Sequence, residues 1–411
     1  MKIVLINHSD TRGGASVVSV RLLEALRALG ADASMLVVRK AGDRPYVHLA
    51  GNALSRKLPF LAEHARIFAS NGFTRTDLFA ASIATDGLPL SRHPLVRDAD
   101  AVLLNWVNQG MLSLSEIGRM AASGKRVLWT MHDMWNLTGV CHHAGECGGY
   151  LREPGCGHCP LMHGRAGASD LSRRTWLRKR ELYSKAGITF VAVSSWLADK
   201  SRRSTLMRGQ RVEVIPNAFP VEDFYTVPKN PEAFPVLPSD KKLIVMGAER
   251  LDSPVKGLRY AVEALNRLAD GGCDDAMAVF FGGLRDPHAL DGLRLPYVSL
   301  GTISDPAALR ELYSRASAVL SSSLYETLPG TLIEGQAAGA FPVSFGEGGQ
   351  PDIITHGRTG YIARYLDTAD LAEGLSVALS QPVPREVLRE SVAARFSAEA
   401  VAGRYLSLIG R

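Results

Sequence analysis

Residues 318–345 read AVLSSSLYETLPGTLIEGQAAGAFPVSF. Ala318–Ser322 is a short apolar run, Thr331–Ala338 has helical spacing, and Phe341–Phe345 is apolar again. Strand, helix and strand in so short a span form a βαβ unit, which implies parallel strands. The loop and helix between the strands carry Glu326 and Glu334, with seven residues between them in an E-x7-E pattern. Upstream, GAERLDSPVKG at 247–257 places Arg250 and Lys256 on the turn after an earlier strand. Carboxylates suit hydroxyl groups, and an Arg–Lys pair suits a diphosphate. A nucleotide sugar offers both. Each residue alone has an ordinary reading: Thr331 and Glu334 fit a capping box, Glu326 a solvated loop, Arg250 and Lys256 a wet surface. Their joint placement at the C-terminal ends of strands favours a ligand site.

The same alternation runs outward in both directions. Lys2–Asn7 reads as a first strand, Ser9–Ala15 as a Gly-containing loop, and Val18, Leu22, Ala25, Leu26 and Leu29 recur at helical spacing before Gly30. Further β-rich runs stand at Ala33–Val38, Ala101–Asn105, Arg126–Thr130, Ile188–Ser194 and Arg211–Ile215. The segment 217–240, NAFPVEDFYTVPKNPEAFPVLPSD, holds five prolines and no helical period, so it reads as a linker. Alternation then restarts with strand Lys242–Gly247, helix Leu258–Ala269, strand Met277–Gly282 and helix Pro306–Ala316. The expected organisation is an α/β domain at 1–216, the linker, a second α/β domain at 241–394, and a C-terminal helix at 395–411 packing back on the first domain. A cleft between two such domains is the default ligand site.

The length of 411 residues favours two cores over one. Apolar residues at 46% and charged residues at 21% describe a globular chain, not a disordered one. No apolar run approaches the roughly 18–20 residues of a membrane span. The opening MKIVLIN is too short an apolar stretch for a signal peptide, so a cytoplasmic location is expected, at most peripheral to the inner face of the cell membrane. The formal charge of +6 suits anionic partners. Nucleic acid is not among them, because no recognition helix, aromatic RNA-binding motif or long basic run is present.

Taken in order, several stretches resemble the retaining GT-B glycosyltransferases of family 4. They are Gly13-Gly14, TMHDMW at 130–135 with His132, VSSW at 193–196, VIPNA at 214–218, ERLDSPVKG at 249–257, the E-x7-E pair, and GGQPDIITHGRTGYI at 348–362. The match covers nearly the whole chain. The stretch WTMHDMWNLTGVCHHAGEC, continuing to CGHCP, further resembles members found in bacterial exopolysaccharide and colanic-acid synthesis. Asp352 departs from the family pattern, which usually has Glu there.

The resemblance implies two Rossmann-like domains facing across a cleft and a nucleotide-diphosphate sugar as donor. Arg250 and Lys256 would hold the diphosphate and stabilise the leaving nucleotide. Glu334 would bind the ribose, and Glu326 the transferred sugar. Gly330, Thr331 and Leu332 would offer helix N-terminal N–H groups to a phosphate, and Gly13 and Gly14 would admit the same phosphates from the first domain. His132 would point at the reacting centre. No catalytic metal is expected. The acceptor would be a glycan, lipid-linked, in polysaccharide biosynthesis. Two alternatives stand beside this reading: a GT-B epimerase or phosphorylase, and a non-catalytic zinc-stapled binding protein.

Cys141, Cys147, Cys156 and Cys159 fall within a loop at 141–159. Such grouping suggests a closed structural zinc site, with reduced thiols or a disulfide as the other readings. The segment Ser172–Tyr183, SRRTWLRKRELY, interleaves five cations with Trp176 and Leu177. It reads either as an interfacial helix for anionic lipid or as a solvated basic helix.

Overall fold

The computed structural model describes residues 1–163, 165–227 and 232–410. Within them the chain divides into two units, Met1–Ala218 with Val401–Arg411, and Phe219–Ala400. The first unit has strands β1 (Lys2–Ile6), β2 (Asp32–Val37), β3 (Val47–Leu49), β4 (Ala101–Leu104), β5 (Arg126–Met131), β6 (Ile188–Ala192) and β7 (Arg211–Val214). They form one parallel sheet in the order β3-β2-β1-β4-β5-β6-β7. The second unit has β8 (Lys242–Arg250), β9 (Ala276–Gly283), β10 (Tyr297–Ser299), β11 (Ala316–Ser321), β12 (Phe341–Phe345) and β13 (Tyr361–Ala363). These are parallel too, in the order β10-β9-β8-β11-β12-β13.

The central strands are apolar throughout because both faces of a parallel sheet are covered. In β1 every residue after Lys2 is buried, and β4 and β12 are buried along their whole length. The helices of the first unit are α1 (Gly14–Ala28), α2 (Ala53–Ser70), α3 (Pro94–Arg97), α4 (Leu114–Ala121), α5 (Leu171–Lys185) and α6 (Ser195–Arg203). Those of the second are α7 (Leu258–Asp270), α8 (Pro306–Arg315), α9 (Gly330–Ala337), α10 (Thr368–Ser380) and α11 (Arg385–Phe396), followed by α12 (Ala398–Gly410). Right-handed crossovers on either side of each order reversal send helices to both faces.

Most helices begin on a capping side chain: Ser113 for α4, Asp170 for α5, Ser194 for α6, Asp305 for α8 and Asp367 for α10. Helices α1, α7 and α9 begin instead after Gly13, Gly257 and Pro329 with no side-chain cap, as does α11 after Pro384. The capping box expected from Thr331 and Glu334 does not form. Thr331 already lies inside α9, and the helix starts one residue earlier than its spacing predicts.

Segment 217–240 includes residues 228–231, which lie outside the described residues. Its described part is tied to the second unit, with Phe219, Val221, Phe224 and Leu237 buried. The Arg389 guanidinium donates to the carbonyls of Val221 at 3.2 Å and Phe224 at 2.7 Å. At the other end of the chain, Tyr405 of α12 is buried in the first unit, its hydroxyl 3.0 Å from Thr130 Oγ1.

A bulge between Gly247 and Arg250 bends the end of β8 against β9. Gly282 makes it possible: its φ is +119°, and a Cβ there would overlap the Ala248 carbonyl oxygen. Gly282→Ala should therefore lower stability by roughly 3 kcal/mol or more through strain and overlap. Its urea unfolding midpoint, compared with that of the parent chain, measures the loss.

Candidate functional site

In both sheets the strand order reverses once, between β1 and β4 and between β8 and β11. Neighbouring connections leave such a point in opposite directions, so the strand ends there are uncovered, and ligands of open α/β folds bind at that place. In the second unit the residues at the reversal are those of the E-x7-E and Arg–Lys stretches. Arg250 ends β8, and its Nε lies 3.5 Å from Asp252 Oδ1. Neither atom has a hydrogen-bond partner among the described residues. The other oxygen, Asp252 Oδ2, accepts from the backbone N–H groups of Arg285 and Asp286, both at 3.1 Å.

Lys256 follows on a turn that Gly257 closes with φ +62°. A Cβ on Gly257 would overlap the Ser322 carbonyl oxygen, so the turn packs directly on the loop after β11. Ser322 Oγ donates to the Lys256 carbonyl at 3.0 Å, and Leu324 N–H donates to the Val255 carbonyl at 2.8 Å. Held this way, Lys256 Nζ reaches Glu326 Oε2 at 2.6 Å in a half-buried ion pair. Gly349 N–H donates to the Glu326 carbonyl at 2.9 Å, and a Cβ on Gly348 would overlap that same oxygen. Gln350 behind them is fully buried, and neither amide atom has a partner among the described residues.

Helix α9 starts from the same loop, so its first N–H groups, on Gly330, Thr331 and Leu332, emerge at this strand end uncapped by a side chain. A Cβ on Gly330 would come 2.8 Å from the ring of Phe219. Leu332 is buried, and Thr331 and Glu334 are half-buried. Glu334 stands one turn on, near Tyr313, whose hydroxyl has no partner among the described residues. Burial raises the Tyr313 hydroxyl well above its usual value, and the Glu334 carboxylate adds to the rise.

The reversal in the first unit is equally polar. Asn7 follows β1, and its side chain donates to the Ser9 carbonyl at 2.6 Å and Ser16 Oγ at 3.1 Å, and accepts from Trp106 N–H at 3.0 Å. Gly13 has φ +83° and precedes α1; a Cβ on Gly13 or Gly14 would meet nothing within 4 Å. His132 lies half-buried just beyond β5, with Nε2 3.1 Å from Asn105 Oδ1. Asp133 Oδ2 takes His142 Nδ1 at 2.7 Å and Trp106 Nε1 at 2.9 Å, and Oδ1 takes Trp135 N–H at 2.8 Å. Burial works against the Asp133 charge, but His142 and these donors prevail and hold it down to about 2. Sequence reading missed His8, Asn105 and Trp106. The available signal was their position just past β1 and β4.

Cys141, Cys147, Cys156 and Cys159 all line one small cavity, together with Thr138, Gly139 and Tyr150. All four are free thiols, so the disulfide reading does not hold. Gly139 N–H donates to Cys156 Sγ at 3.2 Å. Burial pushes Cys141 and Cys156 up to about 11 and Cys159 to about 12. Among the described residues no three His, Cys, Asp or Glu side chains stand as a group that could hold a metal ion. The donor types suit zinc, but they are not gathered into a coordination shell.

The interfacial reading of Ser172–Tyr183 is corrected by α5. Ser172, Thr175, Trp176, Lys179 and Tyr183 recur at helical spacing and form its inner face. Trp176 is 1% exposed, and Lys179 is wholly buried. Lys179 Nζ donates to the carbonyls of Trp135 at 2.5 Å and Thr138 at 3.0 Å, over the Trp135 ring. Of the two apolar residues meant for lipid, Trp176 is thus a core residue while Leu177 stays exposed, and one of the five cations is a core donor.

Residues 240–381 match the family described as Glycosyl transferases group 1. Spore coat protein SA of Bacillus subtilis (strain 168) is 28% identical over 184 residues, 41% of this chain and 48% of that protein. The chain therefore spans about half the length of this curated relative. Sucrose-phosphate synthase from Thermosynechococcus elongatus superposes with a TM-score of 0.63 at 18% identity, over 99% of this chain and 98% of that one. Anabaena HepE in complex with UDP gives 0.62 at 14% identity, over 100% of each chain. WaaG, a glycosyltransferase involved in lipopolysaccharide biosynthesis, gives 0.64 at 15%, over 99% of each. No helix among the described residues is long and apolar enough to cross a membrane.

Burial lowers both His8 and His132 from 6.5 to about 4, Arg39 adding to the fall at His8 and Asp133 partly offsetting it at His132. Both imidazoles are therefore neutral at neutral pH. Between about 4 and 6.5 the unfolded chain binds protons that the folded chain does not, so stability falls as pH drops through that window. Each group accounts for about 3 kcal/mol of the loss. Urea midpoints at about pH 7.5 and about pH 4.5 should differ less in His8→Asn and His132→Asn than in the parent chain.

Proposed function

We propose, for a chain of GT-B fold whose residues 240–381 match the group 1 glycosyl transferases, that it moves a sugar from a nucleotide-diphosphate donor to a lipid-linked glycan acceptor, with retention at the anomeric carbon, in polysaccharide biosynthesis. One observation carries this reading. Lys256 and Glu326 pair at 2.6 Å beside the uncapped start of α9, at the strand-order reversal of the second unit. A phosphate-binding group and a hydroxyl-binding group are thereby fixed side by side. HepE has been solved with UDP-glucose, which is a donor of this class.

In this reading Arg250, Lys256 and the N–H groups of Gly330, Thr331 and Leu332 take the diphosphate. Lys256 has three donors, so it can keep Glu326 while it binds a phosphate oxygen. Glu334 takes the ribose hydroxyls, and Glu326 takes hydroxyls of the transferred sugar. The bond from the anomeric carbon to the phosphate oxygen breaks, the acceptor oxygen bonds to that carbon on the same face, and the departing phosphate oxygen receives the acceptor's proton. The cations and helix N–H groups stabilise the leaving charge, so this step uses no metal ion. His132, a neutral imidazole, orients substrate by hydrogen bonding and does not attack it.

The cysteine cavity has a separate, structural role: the four thiols, once deprotonated, bind zinc as a cross-link of the 141–159 loop. Donor chemistry supports this, and closing the shell requires the thiol side chains to turn inward. A closed zinc site contributes folding free energy. Metal analysis should find about one zinc per chain, and Cys156→Ser should melt lower. Four titratable thiols and no zinc in the native protein would refute the cross-link.

Arg250→Ala and Lys256→Ala should each slow transfer by on the order of 10²-fold, the scale for one preorganised charge-stabilising group. Turnover should persist through brief exposure to excess EDTA. Near-normal rates in both variants, or strict dependence on added Mg²⁺ or Mn²⁺, would sink the diphosphate assignment.

A further inference from the structure

Trp106 is a half-buried aromatic ring among the polar groups at the strand-order reversal of the first unit. All of its polar atoms are engaged. Its N–H donates to Asn7 Oδ1 at 3.0 Å, its carbonyl accepts from the His8 N–H at 2.9 Å, and Nε1 donates to Asp133 Oδ2 at 2.9 Å. What the residue has left to offer a ligand is the apolar face of its indole. The His8 ring stands edge-on to that indole, with ring centres 5.4 Å apart.

The loop that carries Trp106 is fixed. Gln109 has φ +54° and Gly110 φ +77°, and a Cβ on Gly110 would overlap the Phe60 backbone. The Gly110 N–H donates to the buried Glu63 carboxylate at 2.6 Å. Left-handed backbone at a residue other than glycine persists where its surroundings over-determine it, and such places cluster at functional sites.

Asp133 aims the indole, and His142 holds Asp133. His142 Nδ1 meets Asp133 Oδ2 at 2.7 Å, and the opposite nitrogen, Nε2, lies 3.2 Å from Ser82 Oγ. The imidazole is therefore tied down from both sides, and its ring centre stands 5.5 Å from that of the indole. Since His142 belongs to the cysteine loop, that loop reaches Trp106 through two consecutive hydrogen bonds.

Two polar groups beside the indole are left open. His8 Nδ1 and Asn108 Nδ2 are buried and have no hydrogen-bond partner among the described residues, Asn108 being 4% exposed. The Asn108 backbone hydrogen-bonds the His8 ring, which places the two together. Buried polar atoms are paired almost everywhere in folded proteins, so these two are suited to a ligand's hydroxyl groups. Both open groups are uncharged at neutral pH, His8 because burial lowers it to about 4. A flat apolar face bordered by a neutral imidazole and a neutral amide suits an uncharged ring that is apolar on one side and hydroxylated at its edge. A pyranose is such a ring.

We propose that the Trp106 indole is the platform on which the first unit stacks a neutral pyranose of the acceptor glycan, and that His142, acting through Asp133, positions it. The assignment of the pyranose to an acceptor rests on the glycosyltransferase reading given above, but none of these residues belongs to the diphosphate site of the second unit.

Saturation-transfer NMR on the full chain tests the platform, with the methyl glycosides of glucose, galactose and mannose as probes. The parent should transfer saturation to at least one of them, most strongly to its ring C–H protons. Trp106→Ala should cut that transfer by about 5-fold or more. Should the alanine variant melt early, Trp106→Leu keeps bulk without an aromatic face and should lose transfer as well. Trp106→Phe, which keeps a ring but not the Nε1 tether to Asp133, should fall between. His142→Phe removes one donor to Asp133 and should weaken transfer, whereas His142→Asn returns an N–H near the Nδ1 position and should restore most of it. UDP should raise the melting temperature of the parent and of every folded variant. Absence of that UDP shift with sugar transfer intact would fail the donor reading alone. No transfer to any of the three glycosides, or equal transfer by the parent and the folded Trp106→Ala or Trp106→Leu variant, overturns the platform. Parent-like transfer by both Trp106→Phe and His142→Phe overturns the positioning role.

Discussion

The constraint on which this molecule rests is the handedness of the connection between parallel strands. A right-handed crossover can continue a sheet in either direction, but reversing direction requires the chain to change faces. Both sheets do this once, at β1/β4 and at β8/β11. At each reversal two adjacent strand ends lose the helix that would otherwise cover them. Backbone and side-chain polar groups can then collect there without the cost of burial unpaired. In the second unit Arg250, Lys256 and Glu326 collect at that point, and in the first Asn7, Asn105 and His132 do.

The helices follow from the same constraint. A capping Ser or Asp satisfies the first N–H groups of a helix and would block an anion from them. Glycine at 13 and 257 and proline at 329 leave α1, α7 and α9 uncapped. At most other helix starts capping side chains return, as at Asp170 and Asp305, with α11 after Pro384 the exception. Glycines at 282 and 348 let one backbone approach another closely enough to aim Arg250 and to hold the Glu326 loop. Rigid backbone, not side-chain bulk, sets the positions of the charged groups.

Much of this was legible in the sequence because a parallel sheet has a strong local signature. Buried strands are apolar on both faces, so β1, β4, β5, β6 and β12 stand out from their flanks. The charged residues at the second reversal were legible because they occur in one short stretch after each strand. What was not legible depends on contacts distant in sequence. Asp133 adjoins His132 in the sequence, yet its carboxylate pairs with His142 across the loop. Helix α2 escaped notice because Pro59 interrupts it and its leucines face outward, which removes the usual amphipathic pattern. The short edge strands β3, β10 and β13 are three residues each, too brief to give a period.

Two basic-apolar segments of the first unit show why composition cannot assign a surface. Segment 172–183 has more cations and a tryptophan, whereas 53–79 has leucines and phenylalanines around fewer cations. Counting favours the first. Helical phase reverses the order, because Trp176 and Lys179 fall at positions that recur with Thr175 and Tyr183 on the face toward the sheet. Lys179 survives there only because two carbonyls and an aromatic face replace its water. In α2 the acidic group, Glu63, is the residue turned inward, where backbone N–H groups of Ile83 and Gly110 replace its water, so the helix is pinned by a buried charge while its leucines stay outside.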